Sequence, residues 1–283
     1  MDITPFKSIA GNYKTIFFDA FGVLKNHRGL IPGIENTFRF LEENGIDYFI
    51  ITNDASRGPR ELAQDYQERG LKSITKNKIV SSGMLAREYL QYKVKSGTVA
   101  YLGTARSAHY IETLGLQTIS IADLNLENAE DISALVFLDD EGFDWANDIN
   151  KTINLLRAVN IPTIVCNTDK SYPVSRSEVA IAIGGLANMV EDIVGKRFIR
   201  FGKPDAQMFI FAYEHSIAEG GIADKDKILM VGDTLSTDII GGNKFGLDTV
   251  LVLTGNTLAK HAEMRINSRG IIPTYVCESA VIE

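Results

Sequence analysis

The segment T-I-F-F-D-A-F-G-V-L, residues 15–24, constrains this chain more than any other. Ile16, Phe17 and Phe18 favour a strand and run straight into one carboxylate, Asp19. A small residue, an aromatic and a glycine follow before the chain turns apolar again. A buried strand that ends on an acid sets that acid at the carboxyl edge of a sheet, where open α/β folds build their sites. Taken alone, such an acid most often caps a turn, so the rest of the chain has to decide.

The rest supplies a regular rhythm. Ile34, Phe38 and Leu41 share one helical face, with Gly45 just past the end of that helix. Residues 46–52 read as a second strand, closing on T-N-D-A-S-R-G. Pro59 suits the first turn of a helix that shows Leu62 and Tyr66 on one side and stops at Gly70. Strand, helix, strand, helix is the order of a parallel sheet with crossover helices. The middle third repeats it, with strands expected at 98–102, 117–121, 134–138 and 162–167 and helices near 106–114 and 145–159. Residues 123–131 are acidic and polar and read as a surface loop. In the last third Pro204 is expected to open a helix, strand 228–232 ends on Asp233, and a helix begins near Thr237 with Lys244 in its last turn. Strands 249–253 and 274–277 complete the set. The class is α/β, with a Rossmann-like parallel-sheet core from residues 1–84 and 196–283 and a second α/β domain, residues 85–195, inserted between them.

Composition narrows the function. The 283 residues suffice for two domains of ordinary size, and a net charge of −7 argues against nucleic acid or an anionic membrane as partner. Cys166 and Cys277 lie far apart in apolar runs and read as reduced, buried thiols. The start M-D-I-T-P-F-K-S has no apolar segment of the signal type, and no run approaches the length of a membrane helix, so a cytoplasmic location is expected. The four histidines show no metal-ligand spacing, and the Gly184–Gly185 pair lacks the G-x-G-x-x-G pattern of dinucleotide sites.

Four segments stand out: F-F-D19-A-F-G, I-T52-N53-D-A-S-R, F-G-K203-P-D and V-G-D233-T-L-S-T-D238. Parallel strands point the same way, so the carboxyl ends of several meet in one crevice. Three carboxylates gathered there raise one another's pKa unless a cation relieves them. A hard cation such as Mg²⁺, held by carboxylates, backbone or water oxygens and a substrate phosphate, suits that set.

In this order and spacing the motifs resemble the haloacid dehalogenase-like (HAD) hydrolase superfamily, and more narrowly its class IIA, NagD-type branch of sugar and nucleotide phosphatases. Supporting matches are V-S-S-G from Val80, N-T-D from Asn167, and V-G-D-T-x-x-T-D-I-x-G followed by L-V-L-T-G. The resemblance implies a C2-type cap as the insertion, a small phosphorylated metabolite as substrate and Mg²⁺ as cofactor. It implies Asp19 as nucleophile, Thr52 and Asn53 as donors to the phosphoryl group, and Lys203 as the charge that neutralises both. Asp19, Asp233 and the backbone carbonyl of Phe21 become metal ligands, with Asp238 either a direct ligand or just behind the direct ones. Arg57, Asn167, Asp169 and Tyr172 become candidate substrate contacts, while the acids Asp139, Asp140 and Glu141 read as a solvated turn. A homodimer formed through the cap is compatible with the family, although no heptad or apolar stripe demands it.

One departure matters. Phosphatases of this superfamily carry an Asp two residues after the nucleophile, to protonate the leaving oxygen; here that residue is Phe21. Losing such a group typically costs about 10²–10⁴ in rate. Three readings stay open: a slow or leaving-group-selective phosphatase, a weakened phosphate-binding regulatory protein, and a metal-free dehalogenase. The retained Asp233 and Asp238 speak against the last.

Overall fold

In the computed structural model, which describes residues 2–175 and 178–283, six strands form the first sheet. Their order is Tyr275–Cys277, Asp248–Val252, Ile228–Gly232, Thr15–Phe18, Asp47–Thr52 and Ile79–Ser81. Every neighbouring pair is parallel. A parallel sheet needs both faces covered, and alternate residues of Thr15–Phe18 serve the two faces. Phe18 packs against Phe6 and Phe38 on one side, and Phe17 meets Phe49 edge-on on the other. All of Ile16, Phe17 and Phe18 are fully buried, each side chain contributing about 1.5–3 kcal/mol relative to exposure.

Register then fixes the site. Phe18 stands opposite Val231 on one side and Ile50 on the other. The chain therefore leaves the sheet at Asp19, at Asp233 and at Thr52–Asn53 along one edge. From the strand Thr15–Phe18 the fold first builds outward through Asp47–Thr52 and later through Ile228–Gly232 on the opposite side. That reversal opens a crevice at the carboxyl end of the middle strand.

The inserted segment forms a second parallel sheet, ordered Ile199–Arg200, Thr163–Val165, Ile132–Phe137, Thr98–Leu102 and Gln117–Ser120. Its strand Ile199–Arg200 lies past residue 195, so the second layer extends further along the chain than the sequence suggests. One apolar cluster spans both sheets, joining Phe17, Phe49 and Val80 to Val99, Val136 and Ile164. The helix Ser82–Lys93, through Leu85 and Leu90, belongs to the same cluster.

Several local expectations change. The helix expected at Pro204 runs Ala206–Ala218 instead, because the Asp205 carboxylate caps it by accepting the Gln207 N–H. The helix expected near Thr237 begins as a π turn, Leu235–Ile239, and continues as Ile240–Phe245. The helix near 106–114 is only His109–Glu112, and the acidic segment 123–131 holds a 3₁₀ turn, Leu126–Asp131. Both cysteines are buried and unpaired, and no described helix is long and apolar enough to cross a membrane.

Candidate active site

Asp19, Lys203, Asp233 and Asp238 meet at the sheet edge. Asp19 stays in line with the strand because its N–H still donates to the Val231 carbonyl at 2.8 Å. The Lys203 ammonium lies 2.5 Å from Asp19 Oδ1 and 2.8 Å from Asp238 Oδ1, with only 3% of the lysine side chain exposed. Asp238 reaches the cluster from the π turn, and its Oδ2 accepts the Thr234 N–H. Asp233 accepts from Thr234 Oγ1 and from the Asn256 N–H.

The electrostatics are severe. Burial pushes the Asp19 carboxyl well above its usual range against the pull of Lys203, with Asp238 and Asp233 adding to the rise. Asp233 is pushed up to about 7, by burial first and Asp238 next. Burial works against the Lys203 charge, yet Asp19 and Asp238 hold its ammonium above the ordinary lysine range. Three ionised carboxylates against one ammonium leave two negative charges uncompensated.

This donor set fits a hard divalent cation. Carboxylate oxygens of Asp19, Asp233 and Asp238 all lie within 4.8 Å of one another. Asp238 Oδ1 is buried beside the lysine ammonium but makes no directed hydrogen bond, so an acceptor remains for a ligand. Gly22, at φ +88°, keeps the wall open: a Cβ there would stand 2.2 Å from Asp233 Oδ2.

A cleft of about 1120 Å³ rises from this floor between the two layers. Asp19, Phe21, Thr52, Asn53, Arg57, Asn167, Asp169, Tyr172, Lys203 and Asp233 all line it, while Asp238 sits beneath. Thr52 Oγ1 accepts the Asp54 N–H. Arg57 is half-buried. Asn167 bends back to accept the Asp169 N–H, and the Tyr172 hydroxyl donates to Asp140 at 2.9 Å. The Asn53 carboxamide bonds Thr168, Asp169 and the Lys203 backbone, which leaves the backbone half of the expected backbone or side-chain donor.

The acids 139–141 form an irregular turn that faces the cleft, with Asp139 and Asp140 half-buried and Glu141 exposed. Burial, helped by Asp140 and Asp54, raises the Asp139 carboxyl to about 6. Asp140 is also raised, chiefly by burial, against the Tyr172 hydrogen bond. The signal was present in the sequence: the strand Ile132–Phe137 runs into these acids just as Thr15–Phe18 runs into Asp19. Lys25, Arg28 and Thr168 also line the cleft; Thr168 lies inside the N-T-D match from Asn167, whereas no motif marks Lys25 or Arg28.

Comparison with known proteins finds relatives along nearly the whole chain. Residues 16–117 match a family model described as haloacid dehalogenase-like hydrolase, and residues 200–280 match one described as HAD-hydrolase-like. A solved structure of a possible sugar phosphatase of the HAD superfamily from Cytophaga hutchinsonii is 59% identical, superposes with a TM-score of 0.95, and pairs 100% of this chain with 99% of its own. Mouse (Mus musculus) chronophin is 27% identical across 96% of this chain and 92% of its own length. Chicken (Gallus gallus) glycerol-3-phosphate phosphatase is also 27% identical, across 96% and 91%.

Proposed function

This chain belongs to the haloacid dehalogenase-like hydrolase family, and from that premise we propose that it is a class IIA phosphomonoesterase for small phosphorylated metabolites. The observation that carries the reading is the buried Asp19–Lys203–Asp238 contact beside Asp233, at the carboxyl edge of the sheet and open to the cleft. The names of two similar proteins, a glycerol-3-phosphate phosphatase and a possible sugar phosphatase, add support.

An Asp19 carboxylate oxygen attacks phosphorus, so the Asp19 Oδ–P bond forms as the ester P–O bond breaks. Lys203 neutralises the attacking carboxylate and the phosphoryl oxygens. Thr52 donates its hydroxyl and Asn53 its backbone N–H to the transferring group. Asp19, Asp233, Asp238 and the carbonyl of Phe21 would hold Mg²⁺, which supplies positive charge to the transferring phosphoryl. Water then hydrolyses the aspartyl-phosphate and frees inorganic phosphate. Most of the rate in such transfers comes from positioning and charge neutralisation, which this floor is built to provide.

The leaving oxygen departs as an anion that needs a proton, and Phe21 has none to give. Substrates with stable leaving groups, acyl and aryl phosphates, are therefore turned over faster than alkyl phosphates. Tyr172 of the cap and Arg57 of the core meet the rest of the substrate. Phosphate release from acetyl phosphate, p-nitrophenyl phosphate and sugar phosphates, with and without Mg²⁺, tests the reading. Metal-dependent turnover that Asp19→Asn abolishes is the expected result. The absence of metal-dependent release from every substrate, with Asp19→Asn indistinguishable, would overturn it in favour of a phosphate-binding regulatory protein.

A further inference from the structure

The Asn53 carboxamide is spent on structure, and its partners say which structure. Its Oδ1 accepts the Lys203 N–H at 2.7 Å, and its Nδ2 faces the Lys203 carbonyl at 3.2 Å. One side chain thus engages both polar groups of a single residue's backbone, as a neighbouring strand would. The same Nδ2 reaches Thr168 Oγ1 at 3.1 Å and Asp169 Oδ1 at 3.0 Å. Thr168 closes the ring by donating its hydroxyl to the Lys203 carbonyl at 2.5 Å. Asn53 belongs to the first layer, Thr168 to the loop after the second-layer strand Thr163–Val165, and Lys203 to the segment joining the two.

The chain passes between the layers twice, into the helix Ser82–Lys93 and back through Gly202 and Lys203. Asn53 touches both passages, since Ser82 Oγ donates to its backbone carbonyl at 3.0 Å. Gly202, at φ +126°, brings its Cα so near that a Cβ would stand 2.6 Å from Asn53 Oδ1. Asn53 is 3% exposed, so these bonds are shielded from competing water.

We infer that Thr168 and the Asn53 side chain are positioning residues, a clasp that sets the backbone of Lys203 so that its ammonium meets Asp19 and Asp238 while the cap loop is seated. The inference rests on the reading of Lys203 as the charge-neutralising group of a phosphatase. A lysine has four rotatable bonds, so burial alone does not fix where its ammonium lies; a root held on both the N–H and C=O sides narrows that range. The clasp also makes the lysine's position depend on the cap loop that carries Thr168, Asp169 and, beyond them, Tyr172. Substrate contacts that seat the loop thereby seat the lysine.

Thr168→Val removes the hydroxyl at nearly constant shape, and Thr168→Ser restores it. The valine variant is expected to lose roughly 10-fold or more in kcat with KM within about threefold, and the serine variant to recover most of it. Amide hydrogen exchange is read alongside, and it needs no turnover. In the wild type, residues 201–205 are expected to be protected; in Thr168→Val they exchange at least about tenfold faster while the melting temperature stays within a few degrees. Unchanged exchange at 201–205, or a rise in KM at constant kcat, would overturn the clasp and make these residues substrate contacts. Wild-type protein without turnover would refute the phosphatase reading while the exchange result still decides the clasp.

Discussion

The two walls of the cleft are built from the same residue types to opposite specifications. On the core wall, Asp19, Asp233, Asp238 and Lys203 are packed at contact distance at the end of a buried strand pair. On the cap wall, Asp139 and Asp140 stand half-exposed after a strand of the second sheet; Asp139 accepts the Asp140 N–H, and Asp140 accepts the hydroxyl of the half-exposed Tyr172. The core wall is a dense charge cluster, in which the protonation of Asp19, Asp233 and Lys203 depends on their neighbours. The cap wall is polar, roomy and weakly coupled, as a surface suited to sorting substrates should be. On the proposed reading chemistry and selection are separated in space, and substitutions on the two walls are expected to fail in different ways.

The sharpest difference is expected at Lys203. Lys203→Met leaves three buried carboxylates with no cation, so kcat should fall by at least about 10³-fold. Without added Mg²⁺ the variant should also lose about 3–5 kcal/mol of stability, the usual cost of stranding a buried charge. Denaturant unfolding with and without Mg²⁺ measures both walls at once, because no cap-wall substitution should show a comparable metal-dependent loss. A Lys203→Met protein as stable as the wild type without metal would mean that the carboxylates simply take up protons.

Phe21 comes next, on the border between the walls. Phe21→Asp returns a proton carrier two residues after the nucleophile. Turnover of alkyl phosphates should rise about 10²-fold, while acetyl phosphate, whose leaving group needs no proton, changes little. Steady-state rates on the two substrate types give the ratio. Equal response of both would mean that proton delivery is not what limits the alkyl esters.

How far this division was legible in the sequence follows from the same contrast. Asp19, Thr52–Asn53 and Asp233 sit where first-sheet strands end, and strand ends announce themselves as apolar runs stopping on a polar residue; Lys203 came in through its motif. Parallel register does the rest, so the core wall could be assembled from four short segments. The acids 139–141 carry the same announcement but sit in the second sheet. Without knowing how that sheet lies over the first, nothing tells whether its strand ends face the cleft or water. The Asn53 clasp was out of reach for a different reason: its partners, Thr168 and the Lys203 backbone, are 115 and 150 residues away in the chain. Hydrogen bonds to a backbone leave no residue-type signature. The helix beginning at Ala206 in place of Pro204 shows the local limit, where a capping carboxylate one residue on outweighs the proline.

The smallest effect belongs to the cap wall and tests its electrostatics directly. Asp139 has its carboxyl raised to about 6, through burial and through the nearby Asp140, Asp54 and Glu141. A raised carboxyl favours the folded state while it is neutral and opposes folding once it ionises. The cost is therefore absent below about pH 4, grows as pH rises, and is complete above about pH 6. Asp139→Asn keeps the acceptor oxygen that takes the Asp140 N–H but carries no charge to bury. The variant should match the wild type in thermal melts near pH 4 and melt higher above pH 6, by less than about 1 kcal/mol because the group is half-exposed. Its activity on acetyl phosphate should hold within a fewfold, since no step of that reaction uses Asp139. A stability difference that stays flat with pH would mean that Asp139 contributes packing rather than charge. A large loss of turnover would instead place Asp139 in proton transfer and erase the division between the two walls.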